Sequence, residues 1–405
     1  MRIKKVSAAA LALVLLFCFS SCGHEEQPPP ESGEIDAPVH YIEPVAEKLV
    51  IYTVSKDLEK FAERYTSQTG VLTQVKLISS EEYLSGGIFM GNADVIAADQ
   101  YMLPVLYENG SYEELTHYGT TGKSDALLCS DTGMDARGVL RAICYQLPVS
   151  VIVYRRDLAN EIFGTDDPWQ TAMLFCDYLT ITETAKKVRE KGCYIFSGTD
   201  GIENCVCASE AWVCDGKLNL SKARLDYLNA AAEMYQEELL PMGDTPKDEN
   251  VFAYSLPAWE IPCIDAKGGL GLCPGPGGYM RGTWIGISAQ SENKQRAWEF
   301  VEFVALNEQT AQWWTDTTGR PVCLKSVQEA LRDFESPDFG GQKIHAFLMD
   351  EAQKAGFSPS IYDKAVSAEF SAVVSALRQG LLTKAEAIDT FLSAVSEIYP
   401  QLDAK

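Results

Sequence analysis

Residues Val251–Ser288 read VFAYSLPAWEIPCIDAKGGLGLCPGPGGYMRGTWIGIS. Short apolar runs flank a Gly/Pro-rich segment, Gly268 to Gly278, and Tyr254, Trp259, Tyr279, Arg281 and Trp284 stand among them. Gly admits positive φ and Pro holds φ in one well, so a change of chain direction there is cheap and defined. Strand-like runs either side of such a segment predict a chain that passes between two lobes. Aromatics beside the passage predict a cleft. Tyr254, Trp259 and Glu260 are expected to face it from one lobe, Arg281 and Trp284 from the other, with Tyr279 a weaker candidate.

Upstream, Leu49 to Val54 (LVIYTV) reads as a buried strand. Asp57 is placed to cap a helix with Leu58, Phe61 and Tyr65 on one face, closed by Gly70. Val71 to Ile78 and Ala93 to Ala98 read as strands, the latter followed by a helical stretch to Gly110. This rhythm predicts a parallel α/β sheet. Ligands of such sheets collect at the carboxyl ends of the strands, which singles out Tyr52, Ser55, Asp99 and Gln100. For Asp99 a helix cap is the equal alternative. Ile143 to Tyr154 is β-rich but interrupted by Pro148, so two short strands or a further crossing are expected, with Tyr145 beside it.

Downstream, helices are expected over Trp169–Glu190, with a start near Thr180, and over Cys205–Trp212, Leu225–Leu240 and Glu292–Val304. Tyr194 to Phe196 and Leu270 to Leu272 read as strands, and Trp284 to Ile287 as a strand back in the first lobe. The chain is expected to cross again after Pro321. Thr383 and Glu386 form a capping box, ahead of a stripe of Ile388, Phe391, Leu392, Val395 and Ile398. Tyr362 is a further weak candidate for the cleft. The expected division is 47–150 with 276–318 in lobe 1, and 151–275 with 319–405 in lobe 2.

The chain has 405 residues, 46% hydrophobic and 10% aromatic, which suits two lobes each with a core. Its formal charge is −23, and removal of residues 1–21, which carry Arg2, Lys4 and Lys5, takes it to −26. That balance repels nucleic acid and anionic lipid. A basic start, an apolar run from Val6 to Phe19 and Ser20-Ser21-Cys22-Gly23 read as a targeting segment, 1–21. A Cys after two small residues resembles the lipobox of bacterial lipoproteins, with Phe19 where that family more often has an aliphatic residue. The resemblance implies a lipid on Cys22; an ordinary secretory signal cut near Ser21 is the alternative. Residues 22–46, with Pro28-Pro29-Pro30 and several Glu, read as an acidic tether.

Enzyme readings find little support. His occurs only at 24, 40, 117 and 345, and no HExxH, GxSxG or Walker pattern is present. Gly269 to Gly275 lacks the Lys of a phosphate loop. Cys193, Cys205, Cys207 and Cys214 match no zinc spacing, so no metal or cofactor is expected. Disulfides and free buried thiols both stay open for the cysteines after Cys22. Trp298, Trp313 and Trp314 lie on helical patterns and are expected in the core.

Taken in order, the lipobox and tether, LVIYTV with its helix ending Thr69-Gly70, ADVIAAD, LPVSVIVYRRDL, the Trp259 region, GTWIGIS with SENKQRAWEFVEFV, and GRPV at Gly319–Val322 resemble the extracellular solute-binding proteins of bacterial ABC importers, in their carbohydrate-type branch. The resemblance implies a two-lobed periplasmic-binding-protein-like α/β fold (type II) whose hinge the chain crosses more than once. It implies a monomer without catalytic residues, lipid-anchored outside the cell membrane, that closes on a solute and hands it to an ABC permease. A sugar or oligosaccharide suits the aromatics, since sugar C–H faces pack on Trp and Tyr while acids and amides bond the hydroxyls. A polyamine, a phosphorylated polyol, or a surface glycan or protein bound without transport are the alternatives.

Overall fold

The computed structural model describes residues 48–79, 92–119, 126–198, 201–202, 211–241, 248–264, 269–279, 281–356 and 359–402, without the side chains at 276, 277 and 279. The targeting segment, Cys22, the tether, Gly268, Cys205, Cys207 and most of the helix expected over Cys205–Trp212 lie outside them.

In chain order the elements that build the fold are β1 (Leu49–Thr53), α1 (Asp57–Thr69), β2 (Thr73–Leu77), β3 (Val95–Asp99), α2 (Leu103–Glu108), β4 (Ile143–Cys144), β5 (Val149–Arg155) and α3 (Arg156–Phe163). There follow α4 (Pro168–Ala172), α5 (Tyr178–Glu190), a small hairpin of β6 (Val213–Cys214) and β7 (Lys217–Leu218), α6 (Lys222–Gln236), β8 (Ala253–Pro257), β9 (Leu270–Tyr279) and β10 (Thr283–Ile287). The end is helical: α7 (Lys294–Ala305), α8 (Glu308–Thr318), α9 (Lys325–Ala330), α10 (Ile344–Lys354), α11 (Asp363–Arg378) and α12 (Lys384–Ile398).

Two sheets organise the body. The first has the order β2-β1-β3-β10-β4, with β1, β2 and β3 parallel and β10 antiparallel to both neighbours. Helix α1 makes the crossover from β1 to β2. It buries Leu58, Phe61, Ala62 and Tyr65, spaced for one helical face, and ends on Gly70 in the left-handed conformation. Enclosing a ring such as Phe61 is worth about 1.5–3 kcal/mol over leaving it in water. The second sheet is antiparallel, β8-β5-β9. Its central strand is apolar on both faces. Val149, Val151 and Val153 join the core that contains the first sheet, while Ile152 and Tyr154 join a separate core under α5, α6, α11 and α12. Period-2 alternation thus divides one strand between two cores.

Several expectations change. The Gly/Pro segment is itself strand: β9 spans Leu270–Tyr279 along β5, with a register irregularity between Val149 and Val151. Pro274 is tolerated because β9 is an edge strand. Gly275 is needed for close approach, since a Cβ there would lie 2.6 Å from the Ser150 carbonyl carbon. The passage between sheets is shorter, between Tyr279 and Thr283, and Arg281 takes the positive φ of 46°. Tyr194 makes only an isolated bridge to Val251 in place of a strand. The helix expected over Trp169–Glu190 is two, and Asp177, not Thr180, caps the second by accepting from Thr180 N. Helix α6 starts and stops earlier than expected. Thr383 and Glu386 do form the capping box, but Ile398 on the expected stripe is 44% exposed.

The chain passes between the sheets at Tyr145–Pro148 and again ahead of Thr283, with Arg281 and Gly282 on the passage. A third segment, Pro321–Cys323, lies against the first: Leu147 N donates to Pro321 O and Cys323 N to Tyr145 O, both at 3.2 Å.

Candidate functional site

The carboxyl ends of β1, β3 and β4 lie at one edge of the first sheet, and antiparallel pairing brings the start of β10 to the same edge, Thr283 opposite Asp99. Ligands of α/β sheets collect at this edge. Three turns therefore meet there: Ser55–Asp57 after β1, Tyr145–Gln146 after β4, and Arg281–Gly282 before β10. From the second sheet, Trp259 and Glu260 arrive on the 3-10 turn Ala258–Cys263 that follows β8.

A continuous network joins them. The Trp259 indole Nε1 donates to Arg281 O at 2.6 Å. The Arg281 guanidinium donates to Glu260 Oε2 at 3.1 Å. Gly282 N donates to Gln100 Oε1 at 3.2 Å. The Arg320 guanidinium lies 5.4 Å from the Trp259 ring centre and donates to Asp57 Oδ2 at 2.6 Å. Gln146 Nε2 donates to the same oxygen at 2.9 Å. Tyr145 OH donates to Ser55 Oγ at 3.2 Å. A second contact crosses nearby, from Lys364 Nζ on α11 to Asp99 Oδ2 at 3.9 Å, with the ammonium 5.9 Å from the Tyr101 ring.

The electrostatics follow from burial and neighbours. Glu260 is held above the usual carboxylate range by burial, which outweighs the guanidiniums of Arg281 and Arg320. Burial opposes the charge on Arg320, yet Asp57 beside it raises that pKa on balance. Burial pushes the Tyr145 phenol up, so its OH stays a donor.

Ser55, Gln100, Tyr145, Trp259, Glu260 and Arg281 thus fall in one network. Tyr145 and Gln100 are buried supports, 2% and 1% exposed. Asp99 is both things expected of it: Oδ1 accepts from Tyr101 N and Met102 N, and Oδ2 faces Lys364. Tyr52 points elsewhere, its OH bonded to Asn92 under Lys76. Tyr254 packs half-buried against the core, and Tyr279 pairs with Val149 at the end of β9. Tyr362 packs edge-on to Tyr399, centroids 5.0 Å apart. Trp284 departs from expectation. It is fully enclosed in the core of the first sheet, because on a five-residue strand buried throughout neither side faces a cleft. Among the described residues its Nε1 has no hydrogen-bond partner.

Asp57, Gln146, Arg320 and Lys364 are additions. Asp57 does not cap α1, whose N-cap is Lys56 without a side-chain bond; its carboxylate serves Gln146 and Arg320 instead. A signal for Arg320 exists in the sequence, inside GRPV at Gly319–Val322. Among the described residues no group of His, Cys, Asp and Glu is placed to hold a metal ion, and no helix is long and apolar enough to cross a membrane.

Two α/β lobes, crossed repeatedly and carrying a polar-aromatic network where they meet, define the two-lobed periplasmic-binding-protein-like class. The family model for bacterial extracellular solute-binding proteins matches residues 60–339, and this chain belongs to that family. No curated protein sequence matches it. Among solved structures, an extracellular solute-binding protein of family 1 superposes with a TM-score of 0.69 at 15% identity, covering 86% of this chain and 99% of that one. An ABC transporter associated binding protein from B. animalis subsp. lactis Bl-04, in complex with beta-1,6-galactobiose, gives 0.66 at 17%, over 87% and 97%. An ABC substrate-binding protein from Listeria monocytogenes, in complex with cycloalternan, gives 0.68 at 16%, over 87% and 98%.

Proposed function

We propose that this protein is a lipid-anchored receptor that closes its lobes on an uncharged sugar or short oligosaccharide and presents it to an ABC permease. The observation that carries this reading is the setting of Trp259. Its ring is held by a hydrogen bond from the indole nitrogen and by a guanidinium 5.4 Å from its centre, among carboxylates and an amide that suit hydroxyl groups. Every charge of the network has a counter-charge: Asp57 with Arg320, Glu260 with Arg281, Asp99 with Lys364. A polyamine needs surplus acid and a phosphorylated polyol surplus base, so this pairing favours a neutral solute. The saccharides bound by the B. animalis and L. monocytogenes proteins agree with it.

Closure is a population shift driven by contacts from both lobes. The lobes we propose are 47–150 with 276–318, and 151–275 with 319–405. Because β5 begins at Val149 and β9 runs to Tyr279, we put the pivots a few residues inside the lobe 1 ranges, in the segments between the sheets. Cys22 is the proposed lipid attachment, residues 22–46 the tether, and the working form a monomer without catalytic residues.

Calorimetric titration with neutral oligosaccharides, polyamines and sugar phosphates tests the reading. Saturable heat with a neutral saccharide alone is the expected result. Binding of only a polyamine or a phosphorylated compound would replace the solute class, and no binding by any would favour a surface role without transport.

A further inference from the structure

The first and third segments between the sheets carry a feature that solute binding does not use. Cys144 ends β4, Cys323 lies on the third segment, and Cys129 precedes both on a stretch joined to the third segment through the Leu127–Leu324 bridge. All three are buried, at 1%, 0% and 0% exposure for Cys144, Cys323 and Cys129. The thiols of Cys144 and Cys323 donate to one acceptor, the Gln146 carbonyl oxygen, at 2.9 and 3.0 Å. Two sulfurs that share an oxygen at these distances lie within about 6 Å of one another, in reach of a bond after side-chain rotation. The backbones are already paired, by Cys323 N to Tyr145 O and by the Gln146–Val322 bridge. Cys323 stands opposite Tyr145, so Cys144 is its diagonal neighbour, one residue along a strand about 5 Å away; that offset puts the Cα atoms about 6 Å apart, inside the about 4.4–6.8 Å that a disulfide spans.

We propose that Cys144 and Cys323 form a disulfide that staples the third inter-sheet segment to the end of β4, with Cys129 left as a thiol. Cys129 also neighbours the Cys323 thiol, but it is Cys144 that shares its Gln146 acceptor. The family is extracellular, where disulfides persist. The oxidant is a low-molecular-weight disulfide of that environment. One cysteine, as thiolate, attacks it and expels one small thiolate, giving a mixed disulfide. The second cysteine attacks the mixed disulfide, the protein S–S bond forms, and the second small thiolate leaves. Two protein thiols are oxidised, one small disulfide is reduced to two thiols, and the two protons end on the released thiolates. Burial raises the pKa of both Cys144 and Cys323 in the folded chain, so exchange belongs to folding, before the core closes over them. The bond would restrain the two segments that flex during closure, and it closes a long loop containing the second sheet. The proposal rests on the packing of these segments and not on the identity of the solute.

The test uses the full chain, refolded in a mixture of oxidised and reduced glutathione, quenched with acid, alkylated in denaturant and digested without reduction. The expected result is a crosslinked pair of peptides carrying Cys144 and Cys323, lighter than the reduced pair by two hydrogens, with Cys129 alkylated. Alkylation of all three cysteines, or a bridge through Cys129, overturns it. In Cys323→Ala, folding checked by circular dichroism, Cys144 and Cys129 should both alkylate, and the thermal midpoint should depend less on the glutathione ratio than the parent's does. A dependence as strong as the parent's overturns the proposal. Should the variant fail to fold, the peptide map of the unaltered chain decides alone.

Discussion

The Trp259 indole donates to the Arg281 carbonyl oxygen at 2.6 Å, so a residue that follows the second sheet is tied to the segment that re-enters the first. Arg281 takes a positive φ, costly for a side chain other than Gly, and this turns its carbonyl toward the indole. With Arg320 also beside it, the ring is oriented before any solute arrives, which reduces the entropy lost on binding.

Trp259→Ala is expected to weaken solute binding at least tenfold, about 1.4 kcal/mol, with little loss of stability, because the ring is only half-buried. Calorimetry on variant and parent measures it; unchanged affinity would remove Trp259 from the site.

Glu260 predicts a pH dependence of stability. Its folded-state pKa is raised above the ordinary value of 4.5, with burial the largest cause. The folded protein therefore keeps a proton that the unfolded chain has released. The resulting contribution is complete below the ordinary value and is lost as pH rises through the raised one. Denaturant unfolding from about pH 4 to about pH 7 should show a flatter curve for Glu260→Gln than for the parent. Parallel curves would mean that Glu260 titrates alike in both states.

Asp57 and Arg320 should prove energetically coupled. Both are partly buried, with side chains 16% and 21% exposed, and Gln146 shares the same carboxylate oxygen. Arg320→Ala should destabilise by about 1.5–3 kcal/mol, the range for a hydrogen bond to a charged group. In Asp57→Asn the same substitution should cost less. Equal costs in a denaturation double-mutant cycle would show that the pair is merely adjacent.

Gly275→Ala should destabilise the second sheet. The added Cβ would meet Ser150 Oγ at 2.4 Å and the Val151 nitrogen at 2.7 Å, and the backbone atom cannot rotate away. A loss of about 1–3 kcal/mol is expected, as for overpacking elsewhere. A thermal midpoint equal to the parent's would show that β9 can lift from β5 at no cost.

Local signals read well where they depended on neighbours in sequence. The α1 face of Leu58, Phe61 and Tyr65, its Gly70 terminus, the Thr383–Glu386 capping box and the split of the β-rich run at Pro148 all follow from spacing within a few residues. Gly268–Gly278 reads as a crossing, apart from the short strand at Leu270–Leu272, because Gly and Pro disfavour strands in isolation. The Tyr154 ring and the Ser150 backbone pressed against Gly271 and Gly275 convert most of it into an edge strand, and no pattern in the run shows that partner.

The site divides the same way. Trp259, Glu260 and Arg281 were legible as polar and aromatic residues in a non-helical stretch, and they do meet. Trp284, a few residues on, looked equivalent, but β10 is the fourth of five strands and is covered on both faces. Asp57 and Arg320 are far apart in the chain and only the third inter-sheet segment brings them together. By itself, the sequence determined the α/β rhythm of the first sheet, most of the helices and the aromatic character of the region around Trp259, because each rests on local spacing and side-chain chemistry; the two-lobed class rests on its resemblance to solute-binding proteins. Only the tertiary structure decided which aromatics are enclosed, which charges pair and which thiols lie together, because burial and long-range contact depend on what the rest of the chain packs against each residue.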